Sequence, residues 1–223
     1  MSICLNDVVP GMVETEETNE MFQSLRHVLL MLQRRGYEVG HEPWHDTYED
    51  FVKLWYTAAN YTAFTLIGVR DDDICIVFWP FEEKLRINSI RDIINICNEK
   101  KYTHIIIVYS GIITSFAKQQ LQVIKSTSEI RLRIETFNTK YFQYDVLDHL
   151  YVPKHRLLTK EETQVFMNKY KIQYTDLPII YSTDPIAKYF GMRPKQVIEI
   201  LRPSPEGFFY KNYRVCMKGN ILK

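Results

Sequence analysis

Four cysteines are spread over 223 residues without one C-x-x-C pair: Cys4, Cys75, Cys97 and Cys216. A disulfide framework or a four-thiolate zinc site is therefore disfavoured, and the thiols are expected to be buried or incidental. Long apolar runs are also missing. The longest, such as His104 to Tyr109, fall far short of the roughly 18 residues that cross a bilayer. The start, Met1 to Pro10, lacks the basic-then-apolar order of a signal peptide, so a soluble intracellular protein with no membrane partner is expected. No catalytic dyad or triad and no metal-ligand cluster stands out, and no cofactor is called for. A strong basic excess is absent too, since the formal net charge is +1. That total hides an asymmetry: residues 1–144 carry 15 Lys+Arg against 19 Asp+Glu, net −4, and residues 145–223 carry 13 against 8, net +5. Phosphate neutralisation dominates affinity for DNA, so the acidic first part does not qualify as a dedicated DNA-binding domain.

What is present is a chain that should fold. Its 46% hydrophobic and 25% charged content suits one or two globular domains. Thr18 or Asn19 can cap a helix with Met21, Phe22, Leu25, Val28, Leu29 and Leu32 on one face, stopped at Gly36. Thr47 with Asp50 marks another helix start ahead of Phe51, Leu54 and Trp55. Thr62 to Val69 and Ile74 to Trp79 read as a hairpin about the Asp71–Asp73 turn. A helix over Ser89 to Lys100, a strand over His104 to Tyr109, a helix over Thr114 to Lys125 and a strand over Ile130 to Phe137 follow. This alternation predicts an α/β sheet with at least some parallel strands.

Asp176 to Met217 is the densest stretch. Asp184-Pro185, an apolar run and Gly191 combine an N-cap, a proline at the first helical position and a glycine stop. Beyond Pro194, Val197 to Arg202 and Phe208 to Met217 read as two strands about the Pro203–Gly207 turn. Val197, Ile200, Phe208, Phe209 and Tyr210 cannot all face inward from two short strands. Some apolar area is left either for a partner or for the module's own helices.

Three constellations carry weaker alternatives. Asp71 to Asp73 with Glu82-x-Lys84 resembles the carboxylates and lysine of a magnesium-dependent nuclease, but follows Pro80 and points to a solvated turn. His41 and His45 share a metal-like spacing broken by Pro43, which favours an exposed loop. Lys100-Lys101 and Arg34-Arg35 lie at helix ends, where they complement the dipole; a DNA role is the lesser reading.

The region from Tyr151-Val152-Pro153-Lys154-His155 through Leu177-Pro178, Asp184-Pro185, Gly191, Val197-Ile198, Arg202, Ser204 and Tyr213-Arg214 closely resembles the C-terminal assembly domain of the fifth-subunit family of multisubunit RNA polymerases. In that family the subunit is shared among the eukaryotic polymerases and has an archaeal counterpart. Leu25-Arg26, Gly36-Tyr37, Val108-Tyr109, Ile113-Thr114 and Ile134 to Phe137 resemble positions of that family's jaw, while Glu38 to Arg86 carries few matches and Lys218 to Lys223 lies past the family's usual end. The resemblance implies an α/β jaw domain with a mixed sheet over residues 1–144 and a small α+β assembly domain over 145–223. It implies a non-catalytic nuclear subunit, anchored on the largest polymerase subunit, with the jaw near downstream duplex DNA. Pro178, Asp184, Pro185, Gly191, Val197, Arg202, Tyr213 and Arg214 would serve the assembly fold or interface. Ile113, Thr114, Ser115 and Lys118 would form the DNA-proximal loop, although relatives tend to carry proline where Ser115 stands. Contact there would be weak and sequence-independent, with Thr114 as a mere helix cap the competing reading. A small assembly module gains stability from an extensive partner interface. A nuclease on the first domain and a free-standing interaction module are the alternatives, and the host polymerase and a specialised or viral copy stay open.

Overall fold

The computed structural model describes residues 15–41, 43–58, 61–80, 82–126 and 132–219. It divides into two compact units, Met1–Tyr144 and Asp145–Lys223.

The described part of the first unit begins at Thr15, ahead of helix α1, Glu16–Arg34. Its N-cap is Thr15, whose hydroxyl accepts from Thr18 N at 3.2 Å while Thr15 N donates to the Thr18 hydroxyl at 3.1 Å. The helix thus starts upstream of the expected Thr18 or Asn19. Thr18 supplies the return half of a capping box, because a T-x-x-T pair satisfies two amides where either threonine alone satisfies one. Met21, Phe22, Leu25, Val28 and Leu32 are buried along one face as the periodicity requires. Gly36 takes φ +81°, the left-handed stop expected of it.

Strand β1 (Glu38–Val39), helix α2 (Tyr48–Thr57), strand β2 (Leu66–Arg70) and strand β3 (Asp73–Phe78) follow. Thr47 caps α2 by accepting from Asp50 N. The hairpin is present, but its first strand begins at Leu66, since Tyr61–Phe64 turns as a 3-10 helix. Then come β4 (Lys84–Leu85), α3 (Ile87–Glu99), β5 (His104–Tyr109), β6 (Ile112–Ile113), α4 (Ser115–Ser126) and β7 (Arg133–Asn138). Helix α3 begins two residues before Ser89, whose hydroxyl is turned to Glu82 at 2.6 Å. Ile130, the expected start of the last strand, lies outside the described residues.

The main sheet has the order β1-β2-β3-β5-β7, antiparallel through the hairpin and parallel from β3 to β7. Ile76, Ile105, Ile107 and Ile134 pack with Ile90, Ile94, Ala117 and Leu121 of α3 and α4. The alternate residues Val77, Ile106 and Val108 are buried as well, which leaves the sheet covered on both faces and explains the uninterrupted apolar run of β5. Strands β4 and β6 pair in parallel as a separate two-stranded sheet. Lys84, expected in a loop, therefore lies on a strand.

The second unit contains β8 (Lys154–Leu157), α5 (Lys160–Tyr170), β9 (Ile179–Tyr181), α6 (Pro185–Tyr189), β10 (Val197–Pro203) and β11 (Phe209–Met217). Their sheet order is β8-β10-β11-β9, with β10 antiparallel to both neighbours and β9 parallel to β11. The predicted hairpin is β10–β11. Val197 and Val215 face Leu158 and Met167 on the α5 side; Ile198, Ile200 and Cys216 face Ala187 and Met192 on the α6 side. Two small cores thus sandwich one sheet end. Cys75, Cys97 and Cys216 are all buried, and burial pushes the Cys75 thiol up to about 12, so these are packing residues.

Candidate functional site

In the second unit the expected assembly residues fall into two groups. Pro178, Asp184, Pro185, Gly191 and Val197 shape the fold. The Pro178 carbonyl accepts from Val215 N at 2.9 Å, which docks β9 on β11. Asp184 accepts from Ile186 N at 2.8 Å and Pro185 occupies the first helical turn of α6. Gly191 takes φ +58° and Val197 is fully buried. Tyr213 belongs to this group too. Its hydroxyl donates to Glu199 at 2.9 Å, its ring lies 4.1 Å from that of Phe166, and burial and that hydrogen bond push its phenol up to about 12.

Arg202 and Arg214 differ. The register pairs Ile198 with Arg214, Ile200 with His155 and Arg202 with Tyr210, so both arginines, His155 and Tyr210 share the α6 face of the sheet. Neither arginine has an acidic partner among the described residues, and the buried Nε of Arg202 lacks an acceptor. Burial lowers the His155 pKa; the Pro153 backbone and the charge of Asp184 oppose that, and the two arginines reinforce it. Where β10 and β11 run beyond the cores, Phe208, Phe209 and Tyr210 are 58%, 66% and 45% exposed. Val197 and Ile200 of the same hairpin are buried, so the apolar residues divide between core and surface. The face joins positive charge without an acidic partner among the described residues to the exposed ring of Tyr210, while Phe209, paired with Pro203, belongs to the other face.

In the first unit the four loop residues also separate. Ile113 is buried in the main core. Its side chain is a packing group, and the loop's outer surface is left to the others. The Thr114 hydroxyl reaches Leu85 O at 3.3 Å and accepts from Ala117 N at 3.4 Å, a long cap bond. Ser115 and Lys118 are exposed on the first turn of α4, beside Ile112 and Phe116 at 65% and 75% exposure. One cation and a helix start can hold a phosphate, without reading bases.

The nuclease carboxylates are not assembled. Asp73 accepts from Tyr37 and Thr103, each at 2.6 Å, whereas Glu82 accepts from Ser89. His41 is exposed and pairs with Asp46 at 2.9 Å, but His45 is buried edge-on against Trp44, contrary to the expected exposed loop. Arg35, expected at the helix end as a complement to the dipole, is also buried. It forms a two-pronged pair with Glu135 at 2.9 and 3.3 Å, and Glu135 further engages His104 and Arg133. Burial alone would raise the Glu135 carboxyl, but Arg35, the His104 hydrogen bond and Arg133 hold it far below the usual carboxylate range. The neighbours Arg34 and Arg35 carried no signal to tell them apart, beyond the helical phase that turns Arg35 inward with Met31.

Residues 144–216 match the family model described as RNA polymerase Rpb5, C-terminal domain. Over 202 residues the chain is 32% identical to the subunit rpabc1 of DNA-directed RNA polymerases I, II and III of Dictyostelium discoideum, covering 91% of this chain and 100% of that relative. The chain belongs to the Rpb5 family. The subunit RPABC1 of DNA-directed RNA polymerases I, II and III of Caenorhabditis elegans is 30% identical over 210 residues, covering 90% of the chain and 97% of that relative. The subunit 5A of RNA polymerase V from Arabidopsis thaliana is 25% identical over 203 residues, covering 89% of the chain and 87% of that relative. The match to these relatives therefore runs through the first unit as well as the C-terminal domain.

Proposed function

We propose that the chain is a non-catalytic subunit of a nuclear DNA-directed RNA polymerase, with the phosphodiester chemistry on larger partners. In this reading the second unit is the assembly domain, held on the largest subunit, and the first is the jaw, near downstream duplex DNA. The observation that carries it is the end-to-end match with polymerase subunits of similar length. Arg202 and Arg214, without an acidic partner among the described residues and on one face with the exposed Tyr210, supply the complementary physical reason. Two half-buried guanidinium groups with no acidic partner among the described residues suit carboxylates supplied by a partner protein.

Affinity purification of the tagged chain from nuclear extract tests the proposal. Stoichiometric recovery of the two large polymerase subunits is the expected outcome. Recovery of the chain without them would leave a free-standing module as the better reading.

A further inference from the structure

The sheet of the second unit ends unevenly, and the overhang leaves a strand edge open. Strand β11 pairs with β10 along Phe209–Val215, whereas β9 meets β11 only from Val215 to Met217. Val215 N donates to the Pro178 carbonyl on the β9 side and Cys216 N to Gln196 O on the β10 side. Because a strand aims its backbone groups alternately to its two neighbours, Phe209, Lys211 and Tyr213 turn their N–H and C=O groups away from β10. The β9 ladder does not reach them, since the donor that would continue it towards Tyr213 belongs to Pro178, which has no N–H. None of the three has a backbone partner on that side among the described residues.

Sheets guard their edges against added strands with lysine, proline or short length, and the other two edges of this sheet are guarded. Strand β8 follows Pro153 and carries Lys154 and Arg156, and β9 is 3 residues long. The β11 edge lacks such a guard. Its one lysine, Lys211, is drawn back across the sheet to Glu199 at 3.1 Å, and Phe208, Phe209 and Tyr210 beside it are exposed. Charge then selects the occupant. Lys211 and Arg214 flank the overhang, and residues 145–223 carry 13 Lys+Arg against 8 Asp+Glu, net +5. A second copy of this strand would set like charges side by side, whereas an acidic strand meets opposite ones.

We propose that the open edge of β11 takes up an extended acidic segment of a partner protein as an added strand, its backbone hydrogen-bonded to Phe209 and Lys211 and its apolar side chains against the exposed rings. The inference rests on the reading of the second unit as an assembly domain and specifies how that domain is joined. Main-chain bonds supply the hold, and carboxylates beside Lys211 and Arg214 supply the choice of partner.

A capped peptide of three Glu-Val repeats, added at millimolar concentration to the full ¹⁵N-labelled chain, tests it by amide hydrogen exchange. The expected response alternates along the strand: exchange at Phe209 and Lys211 slows by about tenfold, while Tyr210 and Asn212, already bonded to β10, hold their rates. Lys211→Pro removes an outward N–H and no bond to β10, so it should abolish the response with the melting temperature near the wild-type value. Lys211→Ala keeps the N–H and should retain most of it. A peptide with lysine in place of glutamate should bind more weakly. Unchanged rates at Phe209 and Lys211, equal slowing at Tyr210 and Asn212, an undiminished response in Lys211→Pro, or an equal response to the lysine peptide would each overturn the proposal. So would slowing that grows with the concentration of the chain alone, the mark of a second copy on this edge. No polymerase enters the assay, so its failure is told apart from a failed co-purification.

Discussion

At the scale of single residues, the buried pair of Arg35 and Glu135 carries the largest stake. The Arg35 side chain is 3% exposed and that of Glu135 15%, so removing one charge leaves the other in a poorly solvating interior. Glu135→Gln should cost roughly 3 kcal/mol or more, measured by urea unfolding at pH 7. The acid response follows from the sign of the shift. A carboxyl depressed in the folded state contributes stability that is present above its unfolded value of about 4.3 and is lost as pH falls through the folded value. His104 acts in the same direction from higher pH. Burial lowers it first and most strongly, against the hydrogen bond and charge of Glu135. Its share is full above about 6.5 and declines below that value. The wild-type unfolding midpoint should therefore fall as pH drops from 7 to 4. The drop below pH 5 should be shallower in Glu135→Gln; an identical slope would remove Glu135 from the account. In the second unit, Gly191→Val should cost about 1–2 kcal/mol, because a β-branched residue resists φ +58°. An unchanged melting temperature would contradict that helix stop.

At the scale of elements, the small β4–β6 sheet is decided by a contact the sequence hides. A Cβ on Gly111 would fall 1.9 Å from Glu83 O, where Ile112 N also donates to that oxygen at 3.0 Å. Only glycine lets the two backbones meet so closely. Gly111→Ala should therefore push the strands apart and loosen the Ser110–Ser115 loop. Faster amide exchange at Ile112 and Thr114 with little change at β5 is the expected reading, and uniform protection would refute it. Elsewhere the elements were largely legible, because capping, periodicity and glycine stops act within a few residues. Thr47, Asp184-Pro185, the alternation in β10 and the whole of β5 are of this kind. The boundaries that shifted did so through distant partners. Ser89 turned to Glu82, and Lys84 became a strand residue through its pairing with Ile112, which lies across a helix and a strand.

At the scale of the whole molecule, the two halves carry opposite net charge, and the predicted behaviour differs accordingly. Arg202→Glu/Arg214→Glu should reduce co-purification of the large polymerase subunits while leaving the melting temperature of the free chain near the wild-type value, since neither arginine is ion-paired among the described residues. Unchanged recovery would remove the electrostatic part of the docking proposal and leave the fold untouched. For the first unit, Lys118→Glu should lower affinity for duplex DNA modestly and reduce the salt slope by about 1, as expected for one phosphate contact. A larger slope change would mean that other cations share the contact.

The sequence alone determined the local and the compositional: where helices begin and stop, which runs make strands, the charge contrast between the halves, and the spaced positions from Tyr151 to Arg214 that mark the family. Tertiary structure alone decided which polar groups are spent inside. Arg35 meets Glu135 a hundred residues away, and Asp73 is claimed by Tyr37 and Thr103, while Arg202 and Arg214 find no acid among the described residues. The physical reason is that caps and periodicity depend on neighbours in the chain, whereas the partner of a charge depends on which strands the sheet sets side by side.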